Sequence, residues 1–133
     1  MGSVLEKVFL VGLAGGAVYY YANSEQKESR RFSPKFRKDL CDEKGHLCFY
    51  CETAFGEGKG EECTVDHVLS VKAGGTRDRL NLVPCCGSCN YSKKERPVLE
   101  WLNWMYEKGR LTREQVRSAK GRLSQLARQG LQF

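Results

Sequence analysis

The sequence predicts an α+β protein. A small cysteine-stapled unit, made of a hairpin and a following helix, carries flanking helices and a C-terminal helical hairpin. Three observations carry this reading. Two Cys-x-x-Cys pairs, Cys48–Cys51 and Cys86–Cys89, are separated by 34 residues. Between them "CTVDHVLSV", residues 63–71, alternates and is rich in β-branched side chains, as a strand requires. After them, apolar residues recur at helical spacing in two successive segments.

Residues 1–22 contain "VFLVGLAGGAVYYYA", Val8 to Ala22, with no charge. As a helix rising ~1.5 Å per residue this segment spans about 22 Å, short of a ~30 Å hydrocarbon core. Val4, Leu5 and the stems of Glu6 and Lys7 make it nearly sufficient. Gly12 and Gly16 suit close helix packing in lipid, and Tyr19, Tyr20 and Tyr21 suit the membrane interface. The basic residues after it, from Lys27 to Lys38, would hold the remainder on the cytosolic or matrix side. A membrane anchor is the preferred reading of residues 4–22. A helix packed against a partner and a targeting peptide are the other two, and Tyr20 makes a poor cleavage site after Ala22.

Residues 23–40 read as a basic linker and a short helix. Ser33-Pro34 supplies an N-cap and a first-turn proline, and the helix runs to about Cys41. Residues 41–96 form the cysteine-stapled domain: turn residues feed Cys48, "FGEGKGEE" is a loop, 63–71 a strand, "KAGGTRDR" a loop, and a short helix begins near Gly87 and runs to about Lys94. Residues 97–133 form a helical hairpin. Pro97 opens a helix with Val98, Trp101, Leu102, Met105 and Tyr106 on one face, and Gly109 ends it. Thr112 and Gln115 form a capping-box pattern for the last helix. Its apolar stripe is Val116, Ala119, Leu123, Leu126 and Ala127, beside a basic stripe of Arg113, Arg117, Lys120 and Arg128.

Lys and Arg outnumber Asp and Glu by 22 to 16. The excess lies in the flanks: seven basic against four acidic residues over 1–41, seven against three over 98–133, and eight against nine over 42–97. Basic flanks suit a polyanion such as nucleic acid, or an acidic membrane surface. Seven cysteines, an odd number, fit poorly with a disulfide framework. Two distant Cys-x-x-Cys turns suit a tetrahedral four-thiolate Zn²⁺ site in a reducing compartment, the cytosol or an organelle matrix. So short a domain gains from such a staple, because metal binding supplies folding energy. Cys86 rather than Cys85 has the two-residue spacing to Cys89, so the expected ligands are Cys48, Cys51, Cys86 and Cys89. Cys41, Cys63 and Cys85 read as small apolar residues. A thiol redox pair is the competing chemistry.

A second constellation lies inside this frame. Asp66 and His67 end the strand-like run, Asn81 follows, and Asn90 comes directly after the last knuckle cysteine. If the knuckles close on zinc, Asp66, His67 and Asn90 converge. Oxygen ligands suit Mg²⁺ or Mn²⁺, and a histidine near its ordinary pKa of about 6.5 suits a general base. Together they describe metal-assisted attack of water on a phosphodiester. In an ideal strand, however, Asp66 and His67 face opposite ways. The chain is therefore expected to leave regular strand geometry at or just after His67, through a bulge, so that the backbone at 66–68 is not plain extended ladder.

The residues "CFYC", "TVDHVLSVKAGG" and "NLVPCCGSCNYSKK", in this order over about residues 48–94, resemble the zinc-knuckle variant of the HNH endonucleases. The resemblance implies a ββα-metal fold and cleavage to 3′-hydroxyl and 5′-phosphate ends. It implies His67 as general base, Asp66 and Asn90 as holders of the catalytic Mg²⁺ or Mn²⁺, Asn81 as the residue fixing the His67 loop, and a separate structural Zn²⁺. Many members carry His where Asn90 stands. Arg77, Arg79, Lys93 and Lys94 flank the site as expected phosphate contacts, and the basic stripe of the last helix would extend the footprint along double-stranded DNA. The leading expectation is a metal-dependent DNA endonuclease. Its rival is a non-catalytic zinc-stapled module that binds nucleic acid or serves as a subunit of a larger, membrane-associated assembly.

Overall fold

The computed structural model describes residues 32–133, so the readings of residues 1–22 concern residues outside it. The first described helix, α1, is Pro34–Lys44, a turn longer than expected. Lys35–Asp39 and Lys38–Asp42 pairs, at 2.9 and 2.7 Å, line its exposed side with i,i+4 spacing. Leu40 and Cys41 form its buried face. The first knuckle follows, closed by an antiparallel bridge between Leu47 and Ala54, with Glu52 taking a positive φ of 62° to complete the turn.

Strand β1 is Cys63–His67 and β2 is Leu82–Cys86. They pair antiparallel in unbroken register, with Asp66 opposite Val83 and His67 opposite Leu82. The chain leaves the ladder just after His67, as expected, but the expected bulge and the expected strand end are corrected. No bulge interrupts the ladder at 66–67; the chain bends only at Val68. The strand also stops four residues before its expected end, and Val71–Ala73 is a single 3-10 turn capped by the Ser70 hydroxyl. The loop has to fold back tightly here. A Cβ on Gly75 would stand 1.8 Å from the Leu69 carbonyl oxygen, so only glycine lets the two backbone segments meet. Pro84 sits in the middle of β2 without loss. Its carbonyl accepts from Phe49 N at 2.9 Å on the side away from β1, so its missing N–H also faces that edge.

Helix α2, Gly87–Lys93, starts directly from β2. Helix α3, Val98–Glu107, and helix α4, Arg113–Arg128, form the C-terminal hairpin. The Thr112–Gln115 capping box is formed in both directions. Val98, Trp101, Leu102 and Met105 face Val116, Ala119, Leu123 and Leu126 in the core. Tyr106 and Ala127, expected on these stripes, are exposed. Tyr106 lies at the rim, where its hydroxyl accepts from Arg113 at 3.5 Å.

One hydrophobic core joins Cys48, Tyr50, Val68 and Val83 of the stapled part to Trp101, Leu102, Leu111 and Leu123 of the hairpin. Residues 34–133 accordingly make one compact unit, with α1 and the hairpin continuous with the 41–96 segment rather than set apart. Two side chains of α4 seal the seam: Gln115 Nε2 donates to the Cys51 carbonyl at 3.0 Å, and Arg122 Nε to the Phe49 carbonyl at 2.8 Å. Among the described residues no helix is long and apolar enough to cross a membrane.

Candidate metal centre and active site

The two knuckles bring four sulfurs together. The ligand atoms of Cys48, Cys51, Cys86 and Cys89 lie within 4.8 Å of one another. Cys48 and Cys51 come from the first turn; Cys86 and Cys89 come from the junction of β2 with α2. Backbone geometry builds that junction: Gly87 and Ser88 donate to the carbonyls of Glu62 and Gly60 at 3.0 and 2.9 Å. Hydrogen bonds from Cys51, Cys85, Cys86 and Cys89 hold the Cys48 thiol far below its ordinary pKa. The same contacts push the Cys86 and Cys89 thiols up; four converging sulfurs of this kind are a donor set that fits a tetrahedral ion such as zinc. Cys85 stands beside the cluster but outside it, buried, with its thiol donating to the Cys86 carbonyl at 3.4 Å. Burial pushes it well up, the state of an inert thiol. None of the seven cysteines is in a disulfide.

Asn90 and Lys93 meet the strand where β1 packs on α2. Thr64 and Asp66 share one face of β1. Asn90 and Lys93, one turn apart on α2, share the face opposing them. Asn90 Nδ2 donates to Thr64 Oγ1 at 2.8 Å and to the Val65 carbonyl at 3.4 Å. With its nitrogen fixed on the strand, Oδ1 is the atom Asn90 offers as a ligand. Asp66 is 4% exposed. Its Oδ2 accepts from the Tyr50 hydroxyl at 2.6 Å and lies 3.1 Å from Lys93 Nζ; Oδ1 lies 3.4 Å from the same ammonium. Burial pushes this carboxyl above the usual carboxylate range, and Lys93 and Tyr50 pull it part of the way back. An oxygen donor set of Asp66 Oδ1 and Asn90 Oδ1 fits a hard divalent ion such as Mg²⁺ or Mn²⁺.

His67, half-buried, is the next residue on β1 and faces the other side of the ladder. Its carbonyl accepts from Lys93 Nζ at 3.0 Å. Asn81 fixes the chain just beyond it. The Asn81 side chain accepts from Leu69 N at 2.8 Å and donates to the carbonyls of Leu69 and Thr76 at 3.0 and 2.9 Å, and its own carbonyl accepts from Val68 N. A 2% exposed amide that closes a loop through three side-chain bonds is a structural keystone.

Two of the expected phosphate contacts have other partners. Lys93 is fully buried and cannot reach a phosphate on the surface, because Asp66 and the His67 carbonyl hold it in the core. Arg79 is half-exposed but pairs with Glu43 of α1, Nε to Oε2 at 3.0 Å, and lies 5.2 Å over the Phe36 ring. Arg77 and Lys94 are exposed, with the Lys94 ammonium 5.1 Å from the Tyr91 ring centroid. Tyr50 and the structural part of Lys93 were not anticipated. The signal for Lys93 was present: it stands one helical turn after Asn90, so it must share that residue's face. Tyr50 gave none, being one residue inside a knuckle.

Comparison with known proteins agrees with this geometry. Residues 48–96 match the family described as HNH endonuclease. The chain is also 35% identical over 66 residues to the CRISPR-associated endonuclease Cas9 of Actinomyces naeslundii, a stretch covering 49% of this chain and 6% of that protein. The chain thus spans only a small part of that relative's length. The paired knuckles, the β1–β2 hairpin and α2 all lie inside the span that matches the HNH endonuclease family.

Proposed function

We propose that the protein is a metal-dependent endonuclease that hydrolyses phosphodiester bonds of DNA. One observation carries this reading. The hairpin and α2 hold Asn90 against the two residues that precede Asp66; His67, next in the chain, faces the other side of the ladder, so its part as base requires the phosphate to lie at the end of β1, where the chain bends at Val68. In this reading zinc on Cys48, Cys51, Cys86 and Cys89 is structural. Asp66 and Asn90 would hold Mg²⁺ or Mn²⁺, which supplies charge neutralisation at the phosphate and the leaving oxygen. The neutral His67 imidazole takes the proton of the attacking water. Asn81 keeps the backbone after His67 from drifting, and Tyr50 and Lys93 fix the Asp66 carboxylate. Arg77 and Lys94 hold flanking phosphates, and the basic side of α4 adds non-specific contacts to the backbone. Seven free thiols suit a reducing compartment, and residues 4–22 provide attachment to a membrane or a partner helix.

The second reading, a non-catalytic zinc-stapled module, draws on the burial of Asp66 and its pairing with Lys93. Plasmid cleavage separates the two. The zinc-loaded 133-residue chain should cut DNA with Mg²⁺ or Mn²⁺, while folded, zinc-bound His67→Ala and Asn90→Ala lose about a hundredfold or more. A folded, zinc-bound wild type that leaves plasmid intact with either ion would decide for the module.

A further inference from the structure

We infer that Lys93 makes capture of the divalent ion depend on the nucleic-acid phosphate. The inference rests on the Asp66–Asn90 ion site proposed above and adds a charge balance to it. Asp66 contributes one negative charge, Asn90 none, and Lys93 one positive charge at 3.1 Å from the carboxylate. The ligand set is therefore neutral before an ion arrives. Lys93 cannot move its charge aside. Its side chain is wholly buried, and its ammonium is bonded to the His67 carbonyl as well as to both Asp66 oxygens. A dication entering a neutral pocket beside a fixed ammonium meets repulsion that water screens poorly at this depth. A bound phosphodiester brings the missing negative charge.

The carboxylate geometry agrees. Oδ2 is engaged by the Tyr50 hydroxyl at 2.6 Å and by Lys93 at 3.1 Å, while Oδ1 has only the longer Lys93 contact at 3.4 Å, so Oδ1, the less tightly held oxygen, is the atom for an ion. Asp66 is thereby restricted to a single-oxygen contact, a weak hold for an ion that has no other anionic ligand. Lys93 thus acts as a positioning residue through Asp66. It ties assembly of the charged centre to the presence of substrate, and it opposes loading of the ion on the free protein.

The test measures Mn²⁺ affinity directly, by the paramagnetic resonance signal of the free ion. The zinc-loaded chain carries His67→Ala so that DNA is not consumed. Affinity is measured with and without a short DNA duplex, and the ratio is compared with that of Lys93→Gln and Lys93→Met in the same background. Any cost of ionising Asp66 cancels in the ratio. Lys93→Gln retains a donor for Asp66 and for the His67 carbonyl, so it guards against a folding failure of Lys93→Met, with zinc content as the check. The expected result is DNA-dependent tightening that falls by about tenfold or more in the variants. By reciprocity, Mn²⁺ should tighten DNA binding by the same factor. Equal ratios in all three proteins, with binding abolished by Asn90→Ala, would overturn the part given to Lys93 and leave the ion site standing. Mn²⁺ binding indifferent to Asn90→Ala would overturn both.

Discussion

Tyr50 links two parts of the molecule through a single side chain. Its hydroxyl donates to Asp66 at 2.6 Å, and its ring meets Trp101 edge-on with centroids 5.0 Å apart. The hydrogen bond favours the ionised carboxylate and so lowers the Asp66 pKa. Tyr50→Phe should therefore raise it further. As pH falls, the variant would lose the ionised form earlier, and the acid limb of Mn²⁺ binding would move to higher pH. A titration of metal affinity against pH reads this. The same change should lower stability by about 1–2 kcal/mol in urea unfolding. Asn81→Ala removes three side-chain hydrogen bonds around Leu69 and Thr76. It should cost about 2–4 kcal/mol, and hydrogen exchange at the Leu69 amide should speed up far more than at Cys85. At this scale the candidate residues were legible. Asp66, His67, Asn81 and Asn90 stood out because their chemistry and order are unusual together. Lys93 was misread as a surface cation, since a lysine's burial is decided by a partner that lies far away in sequence.

The elements were legible where local rules dominate. The capping box, the helix start after Pro97 and the knuckle spacing all follow from nearest neighbours. The end of β1 was not. Alternation continues to residue 71, but the chain stops pairing at His67 because Asn81 closes the loop and Gly75 must pass the Leu69 carbonyl. Both are contacts across the loop, invisible to a window of sequence. The attachment of α4 to the first knuckle was equally hidden. Arg122 donates to the Phe49 carbonyl, pairs with Glu52 and lies 5.5 Å from the Phe49 ring centroid. Arg122→Ala should destabilise by about 1–3 kcal/mol through the lost charge-assisted bond and the exposed carbonyl. Thermal unfolding measures that loss, and zinc stoichiometry should stay at one ion per chain.

Across the whole molecule, the stapled part and the hairpin share a core from Cys48 to Leu126. Chelating the metal should therefore not leave a folded hairpin behind. Circular dichroism at helical wavelengths and tryptophan fluorescence from Trp101 should collapse in a single transition, and zinc alone should restore both. Two separate transitions would mean that the seam at Gln115 and Arg122 is weaker than its contacts imply.

The shared core also sets the limits of transplantation. The 48–96 segment, moved by itself into another scaffold, would present Tyr50, Val68 and Val83 with no Trp101 or Leu102 to cover them. Such a chimera would be sticky rather than active, since bared apolar surface of this kind drives association. A usable cassette has to run from Pro34 to Leu131, whose amide closes the last turn on the Leu126 carbonyl at 3.0 Å. The unit of exchange in this protein is the compact unit that begins at Pro34, about twice as long as the stretch that matches the family.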